Sequence, residues 1–303
     1  MYCIAGADGF FGAYLQRALL AKGERVIALN HNAPVFPENE NVLNLPFELT
    51  DPLCIKNAAG LLRKECDIRL IYLIAEHAPD KVKADPARAA RINRELYRDF
   101  LTAVSDCDIR ALFYSSSDTV YGESRNGKVF TEEDGPAPIN AYGQQKAEAE
   151  EITLAQGFSV ARFSYMFAPS LTRKRHFFDQ ITDKLRAGEK VGMFTDFIRS
   201  SLPYPTAAEY LLRLTQTETE HRIFNICADE PTSKYDIGLY AAKRCGADPA
   251  LVVPSLGKEA GVFTETRAEA IVMSNARLKR AVGDGAAIRP FAGIESQVAS
   301  RKS

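Results

Sequence analysis

The chain has 303 residues, of which 46% are hydrophobic and 25% are charged, and its formal net charge is -1. This composition predicts a globular protein of one large domain or two moderate ones, and the small net charge disfavours nucleic acid or an anionic membrane as a partner. The sequence lacks an apolar run near the roughly 18 residues that a bilayer span needs, and its N-terminus does not resemble a secretory signal. We therefore expect a cytoplasmic protein.

Cysteine and histidine are scattered along the chain, without the spacings of metal or redox sites. We expect no metal, and we expect the cysteines to be reduced thiols that pack as small apolar side chains. The six cysteines are Cys3, Cys54, Cys66, Cys107, Cys227 and Cys245.

Short apolar runs alternate with helical patterns in the first half of the chain. Helical patterns follow the glycine-rich turn at 6–12 and occupy 87–104 and 141–156. This order predicts an α/β fold, a Rossmann-type doubly wound parallel sheet with helices on both faces, whose ligands bind beyond the carboxyl ends of the strands. The runs that predict strands are 2–5, 25–29, 70–75, 110–117 and 158–163.

Prolines interrupt this alternation after about residue 164. A helical pattern at 207–214 and a short apolar run at 222–226 could return to the sheet. We predict two units with these boundaries: a dinucleotide-binding domain of residues 1–163 with a returning segment at about 205–226, and a smaller α/β substrate-binding lobe of 164–204 and 227–303.

The first strand is followed by the turn G-A-D-G-F-F-G, which opens a helix. In this position the glycines permit a tight turn, a close approach of the backbone to a pyrophosphate, and close packing of helix on sheet. The helix N-terminus would offer N–H groups to the phosphates. We expect Gly6, Gly9, Phe10, Phe11 and Gly12 to contact a dinucleotide; the alternative is a glycine-rich turn without a ligand.

The acid that usually ends the second strand of such folds is replaced by Asn30. An asparagine can bond a ribose hydroxyl but does not repel a 2′-phosphate. The stretch between Arg25 and Lys56 lacks lysine and arginine, and Asp8 adds a negative charge in the turn. These features favour NAD(H) as the cofactor, with NADP(H) as the alternative.

Tyr142 and Lys146 lie four residues apart, on one face of the predicted helix at 141–156. Alone, this spacing is more typical of an ordinary surface helix than of a catalyst. However, Ser117 ends a predicted strand 25 residues earlier, in S-S-S-D-T-V-Y-G, and the tyrosine stands in P-I-N-A-Y-G-Q-Q-K. Together with the glycine turn, these motifs strongly resemble the extended short-chain dehydrogenase/reductase superfamily, which covers epimerases, dehydratases and reductases of nucleotide sugars.

The resemblance implies a catalytic set of Ser117, Tyr142 and Lys146. The tyrosine would be the acid/base partner of a hydride transfer, the lysine would favour its ionised form and bind the ribose, and the serine would hold the substrate oxygen. A neighbouring ammonium group is expected to lower the pKa of the tyrosine.

The resemblance also implies further cofactor contacts. It places Glu48 and Leu49 beside the adenine, the backbone of Ala75 against the cofactor, and Asn93 on the following helix. Packing or helix capping is the alternative for each of these positions.

On the substrate side, the resemblance implies contacts from Ser117, Asp118, Thr119, Ser164 and Arg199. Asp118 would be a proton relay or would stabilise the turn, and Arg199 would bind a substrate diphosphate through its planar guanidinium group or remain a solvated charge. The glutamate of the dehydratases is missing after Ser117, which disfavours dehydration.

The second half of the chain resembles the substrate lobe of dTDP-4-dehydrorhamnose reductases. This resemblance implies NAD(P)H-dependent reduction of a keto group on a nucleotide-activated deoxysugar, and homodimers are common in the superfamily. Two alternatives stay open: a nucleotide-sugar 4-epimerase with tightly bound NAD, and a non-catalytic cofactor-binding regulatory subunit of another enzyme.

Overall fold

The computed structural model describes residues 1–259, 261 and 263–294. Its strands, numbered in chain order, are β1 (Tyr2–Ala5), β2 (Val26–Asn30), β3 (Val42–Pro46), β4 (Ile68–Tyr72), β5 (Ile109–Ser117), β6 (Ser159–Phe163), β7 (Met166–Phe167), β8 (Val191–Phe194), β9 (Ile198–Arg199), β10 (Leu202–Pro203), β11 (Ile223–Ile226), β12 (Thr232–Ser233), β13 (Val252–Ser255) and β14 (Ala270–Ile271).

The helices follow the same order. They are α1 (Phe10–Leu20), α2 (Pro52–Leu62), α3 (Pro79–Ala84), α4 (Pro86–Ala90), α5 (Leu96–Ala103), α6 (Ala141–Ala155), α7 (Phe177–Arg186), α8 (Tyr204–Leu214), α9 (Lys234–Cys245) and α10 (Ala276–Ala281). One π-helical turn, Arg91–Glu95, joins α4 to α5, and a 3₁₀ turn, Asp118–Val120, follows β5. Among these described helices, none is both long enough and apolar enough to cross a bilayer.

Seven strands form one parallel sheet at the centre of the fold, in the order β11-β6-β5-β4-β1-β2-β3. Successive side chains of a strand point to opposite faces, so β1 contributes Tyr2 and Ile4 to one core and Cys3 and Ala5 to the other. Helices α1 and α8 cover the first face, and α2, α5 and α6 cover the second. The predicted doubly wound α/β fold is confirmed.

The predicted strands of the first half match β1, β2, β4, β5 and β6. Their ends agree to within two residues, except that the predicted strand at 70–75 extends three residues beyond β4. The sequence patterns did not reveal β3, an edge strand with the mixed run V-L-N-L-P, or α2 after it. The helix expected at 87–104 is observed as α4, the π-helical turn and α5 in succession.

The chain leaves the sheet after β6 and returns through α8, which packs against α1, and β11, which pairs with β6. A separate apolar core joins α7, α9, β8 and β13 in the second half. The boundaries predicted for the two units stay a prediction, and residues 260, 262 and 295–303 of the substrate-binding lobe lie outside the described residues.

A buried ion pair ties α6 to the sheet. The guanidinium of Arg162 in β6 donates to the carboxylate of Glu150 in α6, with an Nη2–Oε2 distance of 2.6 Å and an Nε–Oε1 distance of 2.9 Å, and each side chain is only 2% exposed. The hydroxyl of Ser116 in β5 donates to the same carboxylate, and the Arg162 guanidinium lies over the ring of Tyr121. Three elements are therefore joined at one desolvated charge pair.

Replacement of Arg162 by methionine is expected to lower the free energy of unfolding by about 3–5 kcal/mol, because it leaves the Glu150 carboxylate buried without its partner. Arg110→Met is the control, since Arg110 makes only exposed ion pairs worth below about 1 kcal/mol. Urea unfolding followed by circular dichroism measures both variants. Equal small losses in the two variants would show that the buried pair does not hold α6 in place.

Candidate active site

A cavity of about 620 Å³ lies at the carboxyl ends of β1, β4, β5 and β6. The glycine turn forms one side of it, and the end of β5 and the start of α6 form its floor. The second half of the chain contributes charged side chains to the same cavity: Lys174, Arg199, Lys234 and Arg267. Three widely separated parts of the sequence thus meet at the edge where parallel sheets bind ligands.

The glycine turn forms a narrow cradle at the N-terminus of α1. A Cβ atom at Gly12 would lie 2.6 Å from the carbonyl oxygen of Gly6 and 2.7 Å from that of Ala7, so the helix can approach the turn this closely only without a side chain. Gly9 occupies the N-cap position and has no side chain to cover the first N–H groups of the helix. This geometry suits a pyrophosphate, and Phe10 and Phe11 also line the cavity.

Helix α6 approaches the end of β5 just as closely. Asn140 caps the helix by accepting a hydrogen bond from the Gly143 N–H at 2.8 Å. A Cβ atom at Gly143 would lie 2.5 Å from the carbonyl oxygen of Thr119, in the turn after β5. A glycine at this position therefore brings Tyr142 into the cavity beside Ser117.

The three expected catalytic residues line the same cavity. Tyr142 is 9% exposed, and its hydroxyl lies near enough to Ser117 for that side chain to favour the ionised phenol. The Lys146 Nζ donates to the carbonyl oxygen of Ser115 at 2.7 Å and lies 5.9 Å from the centre of the Tyr142 ring. The structure thus brings the predicted set together, with the lysine held one helical turn below the tyrosine.

Burial is the main cause of the pKa shifts of Tyr142 and Lys146. It raises the pKa of Tyr142, and the Asp118 carboxylate adds to the rise while the hydrogen bond with Ser117 opposes it. Burial also lowers the pKa of Lys146 from 10.5 to about 7, with Glu150 acting in the opposite direction. Lys146 is not among the groups that shift the pKa of Tyr142, so the lowering expected from the lysine is not observed, and the phenol is protonated at neutral pH.

Asp118 forms a small network at the floor of the cavity. Its carboxylate accepts hydrogen bonds from Ser117 Oγ at 3.1 Å and from Ser164 Oγ at 3.3 Å, and it lies 3.6 Å from the Nε of Arg199. Burial raises the pKa of Asp118, although Arg199 and the two serines oppose the rise. Thr119 lines the cavity beside this network, with its hydroxyl buried and unpaired within the described residues.

The guanidinium of Arg199 is largely committed to the protein. Its Nη1 donates to the carbonyl oxygens of Ile198 and Glu269 at 2.7 and 3.0 Å, and its Nη2 donates to that of Ala268 at 2.8 Å. Its Nε faces Asp118. This arrangement disfavours the expected role as a planar ligand of a diphosphate, because few N–H groups remain to bind one.

The residues expected to contact the adenosine, Asn30, Glu48 and Leu49, lie in different surroundings. The Nδ2 of Asn30 donates to the Ala28 carbonyl at 3.0 Å and to the Asn44 side chain at 2.9 Å, within the sheet edge and away from the cavity. The Nδ2 of Asn30 is therefore not free to bind a ribose, whereas its Oδ1 has no partner among the described residues. Glu48 is partly exposed and bonds His31 and Thr50, whereas Leu49 packs in the core.

Ala75 lies in the loop after β4, and Asn93 contacts this loop from the π-helical turn. Ala75 lines the cavity, as the resemblance implies. The Asn93 amide accepts from the Glu76 N–H at 2.7 Å and donates to the Glu76 carbonyl at 3.1 Å and to the Gln145 side chain at 2.8 Å. Asn93 thus holds this loop against α6, which is a positioning role.

The chain matches one known protein family along nearly its whole length. The family model described as RmlD substrate binding domain matches residues 1–290. The chain belongs to this family. The resemblance to dTDP-4-dehydrorhamnose reductases within the extended short-chain dehydrogenase/reductase superfamily is confirmed.

Two curated relatives are similar to this RmlD-family chain. The probable low-salt glycan biosynthesis reductase Agl14 of Haloferax volcanii is 24% identical over 84% of this chain and 83% of that protein. Methionine adenosyltransferase 2 subunit beta of Rattus norvegicus is 32% identical, but over only 93 residues, which are 30% of this chain and 27% of that protein.

Solved structures share the fold. A hypothetical dTDP-4-dehydrorhamnose reductase from Sulfolobus tokodaii is 22% identical with a TM-score of 0.76 and covers 96% of each chain. The UDP-glucose 4-epimerase of Thermus thermophilus, in complex with NAD, is 19% identical with a TM-score of 0.78, over 95% of this chain and 93% of that one.

The RmlD-family cavity also contains residues that the sequence analysis missed. His77, Tyr165, Lys234 and Arg267 line it, and burial lowers the pKa of His77. None of these residues stands in a motif of the first 163 residues that could have revealed it. They reach the cavity through loops and helices whose approach depends on tertiary packing.

Gly12→Ala tests the closeness of the cradle. The added methyl group is expected to lower the free energy of unfolding by about 1–3 kcal/mol, because it overlaps two backbone oxygens. Gly60→Ala in α2 is the matched control: a Cβ there meets no described atom within 4 Å, and the change should stabilise the helix by about 0.5–1 kcal/mol. Urea unfolding of both variants measures the difference, and a neutral Gly12→Ala would contradict the tight cradle.

Proposed function

We propose that this protein reduces a keto group on a nucleotide-activated deoxysugar with NAD(P)H, and that Tyr142 is the proton donor. Membership of the RmlD substrate binding domain family supports a nucleotide-sugar reductase role. The observation that carries the proposal is a buried, protonated phenol beside a serine hydroxyl, in a cavity that also contains the glycine cradle.

Reduction of a ketone requires a proton for the oxygen atom as the hydride arrives at carbon. Burial raises the pKa of Tyr142, so the phenol is protonated at neutral pH, which is the form that a proton donor starts from. The raised pKa also means that the phenol releases this proton less readily than a free phenol, so the bound substrate and cofactor would have to favour the transfer.

The neighbouring groups place and stabilise the reacting atoms. The Ser117 hydroxyl donates to Asp118 in this structure and would turn to donate to the keto oxygen and hold it at the tyrosine. Lys146 places an amine 5.9 Å from the Tyr142 ring, and the protonated fraction of that amine stabilises the phenolate left after proton transfer. The serine would orient the substrate, and the lysine would stabilise the phenolate form of the tyrosine.

The residues of the glycine turn, the loop at Ala75 and the pair Tyr142 and Lys146 would hold the dinucleotide. When bound, NADH or NADPH supplies the hydride. The first turn of α1 would neutralise the pyrophosphate through its N–H groups and its partial positive charge.

The geometry around Asp8 favours NADH over NADPH. Its carboxylate accepts from the backbone N–H groups of His31 at 3.1 Å and Asn32 at 3.0 Å, and from the Asn32 side chain at 2.6 Å. These residues directly follow β2, where related folds carry the acid that rejects a 2′-phosphate. Asp8 therefore supplies from the glycine turn the negative charge that Asn30 does not supply from the strand.

A 4-epimerase with tightly bound NAD is the second candidate, and the fold is compatible with it because a UDP-glucose 4-epimerase shares it. A cofactor-binding regulatory subunit is the third, and the local similarity to methionine adenosyltransferase 2 subunit beta is the observation behind it. Both alternatives lack a net consumption of reduced cofactor.

Tyr142→Phe is expected to lower the turnover of a nucleotide 4-keto-6-deoxysugar by roughly 10²- to 10⁴-fold, since it removes the proton donor. The wild-type protein should oxidise NADH or NADPH against at least one member of a panel of such sugars. Tyr210→Phe is the control, because Tyr210 lies in α8, does not line the cavity and bonds Asp284 through its hydroxyl. Full activity in Tyr142→Phe, or no turnover of any keto sugar by the wild type, would reject the reductase.

Asp8→Asn is expected to tighten NADPH binding relative to NADH by about tenfold, because it removes a like charge from the neighbourhood of a 2′-phosphate. Quenching of protein tyrosine fluorescence or isothermal titration gives the two dissociation constants. Asp106→Asn is the control: it removes the same charge from a residue that precedes β5 and lies away from the cavity. It should leave the ratio of the NADPH and NADH dissociation constants unchanged. An unaltered ratio in Asp8→Asn would assign cofactor choice to other residues.

A further inference from the structure

The amine of Lys146 lies between the end of β5 and the proposed proton donor. The residue is 3% exposed, and its Nζ donates to the carbonyl oxygen of Ser115 at 2.7 Å. The same Nζ lies 4.6 Å from the centre of the Tyr114 ring and 5.9 Å from that of the Tyr142 ring. Tyr114 is the nearer of these two rings, and the catalytic set proposed above assigns it no role.

Strand β5 presents the Tyr114 ring to helix α6. Successive side chains of a strand point to opposite faces, and Leu112, Tyr114 and Ser116 share the face that meets this helix. The Ser116 hydroxyl donates to Glu150, which stands one helical turn after Lys146. The register between strand and helix therefore places Tyr114 against Lys146, as it places Ser116 against Glu150.

Two further tyrosine rings pack against Tyr114. Its ring centre lies 4.8 Å from that of Tyr97 and 6.2 Å from that of Tyr72, and the centres of Tyr72 and Tyr97 are 4.4 Å apart. The Tyr114 hydroxyl is buried and has no hydrogen-bond partner among the residues that the structure describes. The contacts of this side chain are thus made by its ring, which the neighbouring rings hold in place.

Tyr114 attracts the lysine through its ring face and not as an anion. Burial, with smaller contributions from Tyr97 and Tyr142, raises the pKa of Tyr114 well above its usual range, so the phenol stays neutral. The negative face of a neutral aromatic ring attracts an ammonium group, and the attraction is larger where water is excluded. The contact therefore favours the charged form of Lys146.

The charged groups around Lys146 do little to keep it protonated. Burial lowers the pKa of Lys146 to about 7, and Glu150 acts in the opposite direction. However, the Glu150 carboxylate is bonded to the Arg162 guanidinium, whose positive charge offsets its own. Burial also lowers the pKa of His77 in the loop after β4, so this neighbour is largely neutral at pH 7 and above. Among the described residues, Lys146 is the one cation that lies over the Tyr114 ring.

We propose that Tyr114 is a positioning residue of the reductase, whose ring keeps Lys146 protonated and close to Tyr142. The inference rests on the proposed function, because a charged lysine is what would stabilise the phenolate left after proton transfer. An ammonium group has three N–H donors, of which one is bonded to Ser115. A ring face attracts the charge without requiring a second N–H group, so the remaining donors stay available to the tyrosine and to a cofactor ribose.

Carbon-13 NMR of the full-length protein with labelled lysine tests this contact without turnover, because the Cε signal of a lysine follows its protonation. Lys146→Arg assigns the Lys146 signal. Tyr114→Leu removes the ring, and Tyr114→Phe keeps it. Tyr72→Leu is the matched control: Tyr72 belongs to the same group of rings and also has a buried hydroxyl without a described partner, whereas Lys146 lies over the rings of Tyr114 and Tyr142.

Tyr114→Leu is expected to lower the midpoint of the Lys146 titration by about one pH unit, which is an about tenfold loss of proton affinity. Tyr114→Phe and Tyr72→Leu should keep the wild-type midpoint. Trifluorophenylalanine in place of Tyr114 nearly keeps the size of the phenylalanine ring but makes its face less negative, so it should lower the midpoint by about half as much. This replacement tests the contact even if Tyr114→Leu does not fold.

A keto sugar that the protein reduces gives a second measurement. Because the charged lysine is needed, kcat should fall as the pH rises through the Lys146 titration, and in Tyr114→Leu this fall should begin about one pH unit lower, with kcat at low pH unchanged. An equal loss of kcat at every pH would indicate packing alone and would overturn the proposal.

An unaltered Lys146 midpoint in both Tyr114→Leu and the trifluorophenylalanine variant would also overturn it. The two proposals fail separately. A shifted midpoint in a protein that turns over no keto sugar would reject the reductase alone, and turnover with an unshifted midpoint would reject the role of Tyr114 alone.

Discussion

The buried ion pair between Glu150 and Arg162 sets the distance between α6 and the sheet, and the reacting groups depend on that distance. Tyr142, Lys146 and Glu150 follow one another at intervals of four residues, so they form a single stripe on the face of α6 that meets β5 and β6. The last member of the stripe is anchored by the arginine of β6. The anchored carboxylate therefore fixes the rotation of the helix, and this rotation turns the tyrosine into the cavity.

The same burial that makes the ion pair also controls where protons reside. Tyr142 and Asp118 have raised pKa values and Lys146 has a lowered one, and desolvation is the leading cause in each case. All three groups are thereby shifted toward their neutral forms. These shifts reduce the cost of buried charge, and for Asp118 and Lys146 a neighbour of opposite charge, Arg199 and Glu150 respectively, acts against the shift.

The fold could be predicted from the sequence because it depends on local patterns, whereas the proposed set of Ser117, Tyr142 and Lys146 was implied by a family resemblance and stays a prediction. Apolar runs revealed the buried strands, and the intervals between Ser117, Tyr142 and Lys146 follow from a strand end and a helical turn. The helix at 141–156 shows the limit: its polar residues suggest a surface helix, yet Gln145, Lys146, Glu150 and Thr153 are buried. Polarity indicates burial poorly where polar groups bond one another.

Whether a polar side chain can contact a ligand depends on the hydrogen bonds that it already makes within the protein. Asn30 ends the second strand, where a ribose ligand was expected, but Asn44 of the neighbouring strand takes its amide, and Asp8 brings the charge from a different turn. Arg199 lies in the cavity, but three backbone carbonyls and Asp118 occupy its guanidinium. In both cases the residue type and its place in the motif are those of a ligand-binding residue. However, acceptors within the fold already bond its N–H groups. Lys234 and Arg267 also line the cavity but stand in no motif, so the sequence could not reveal them.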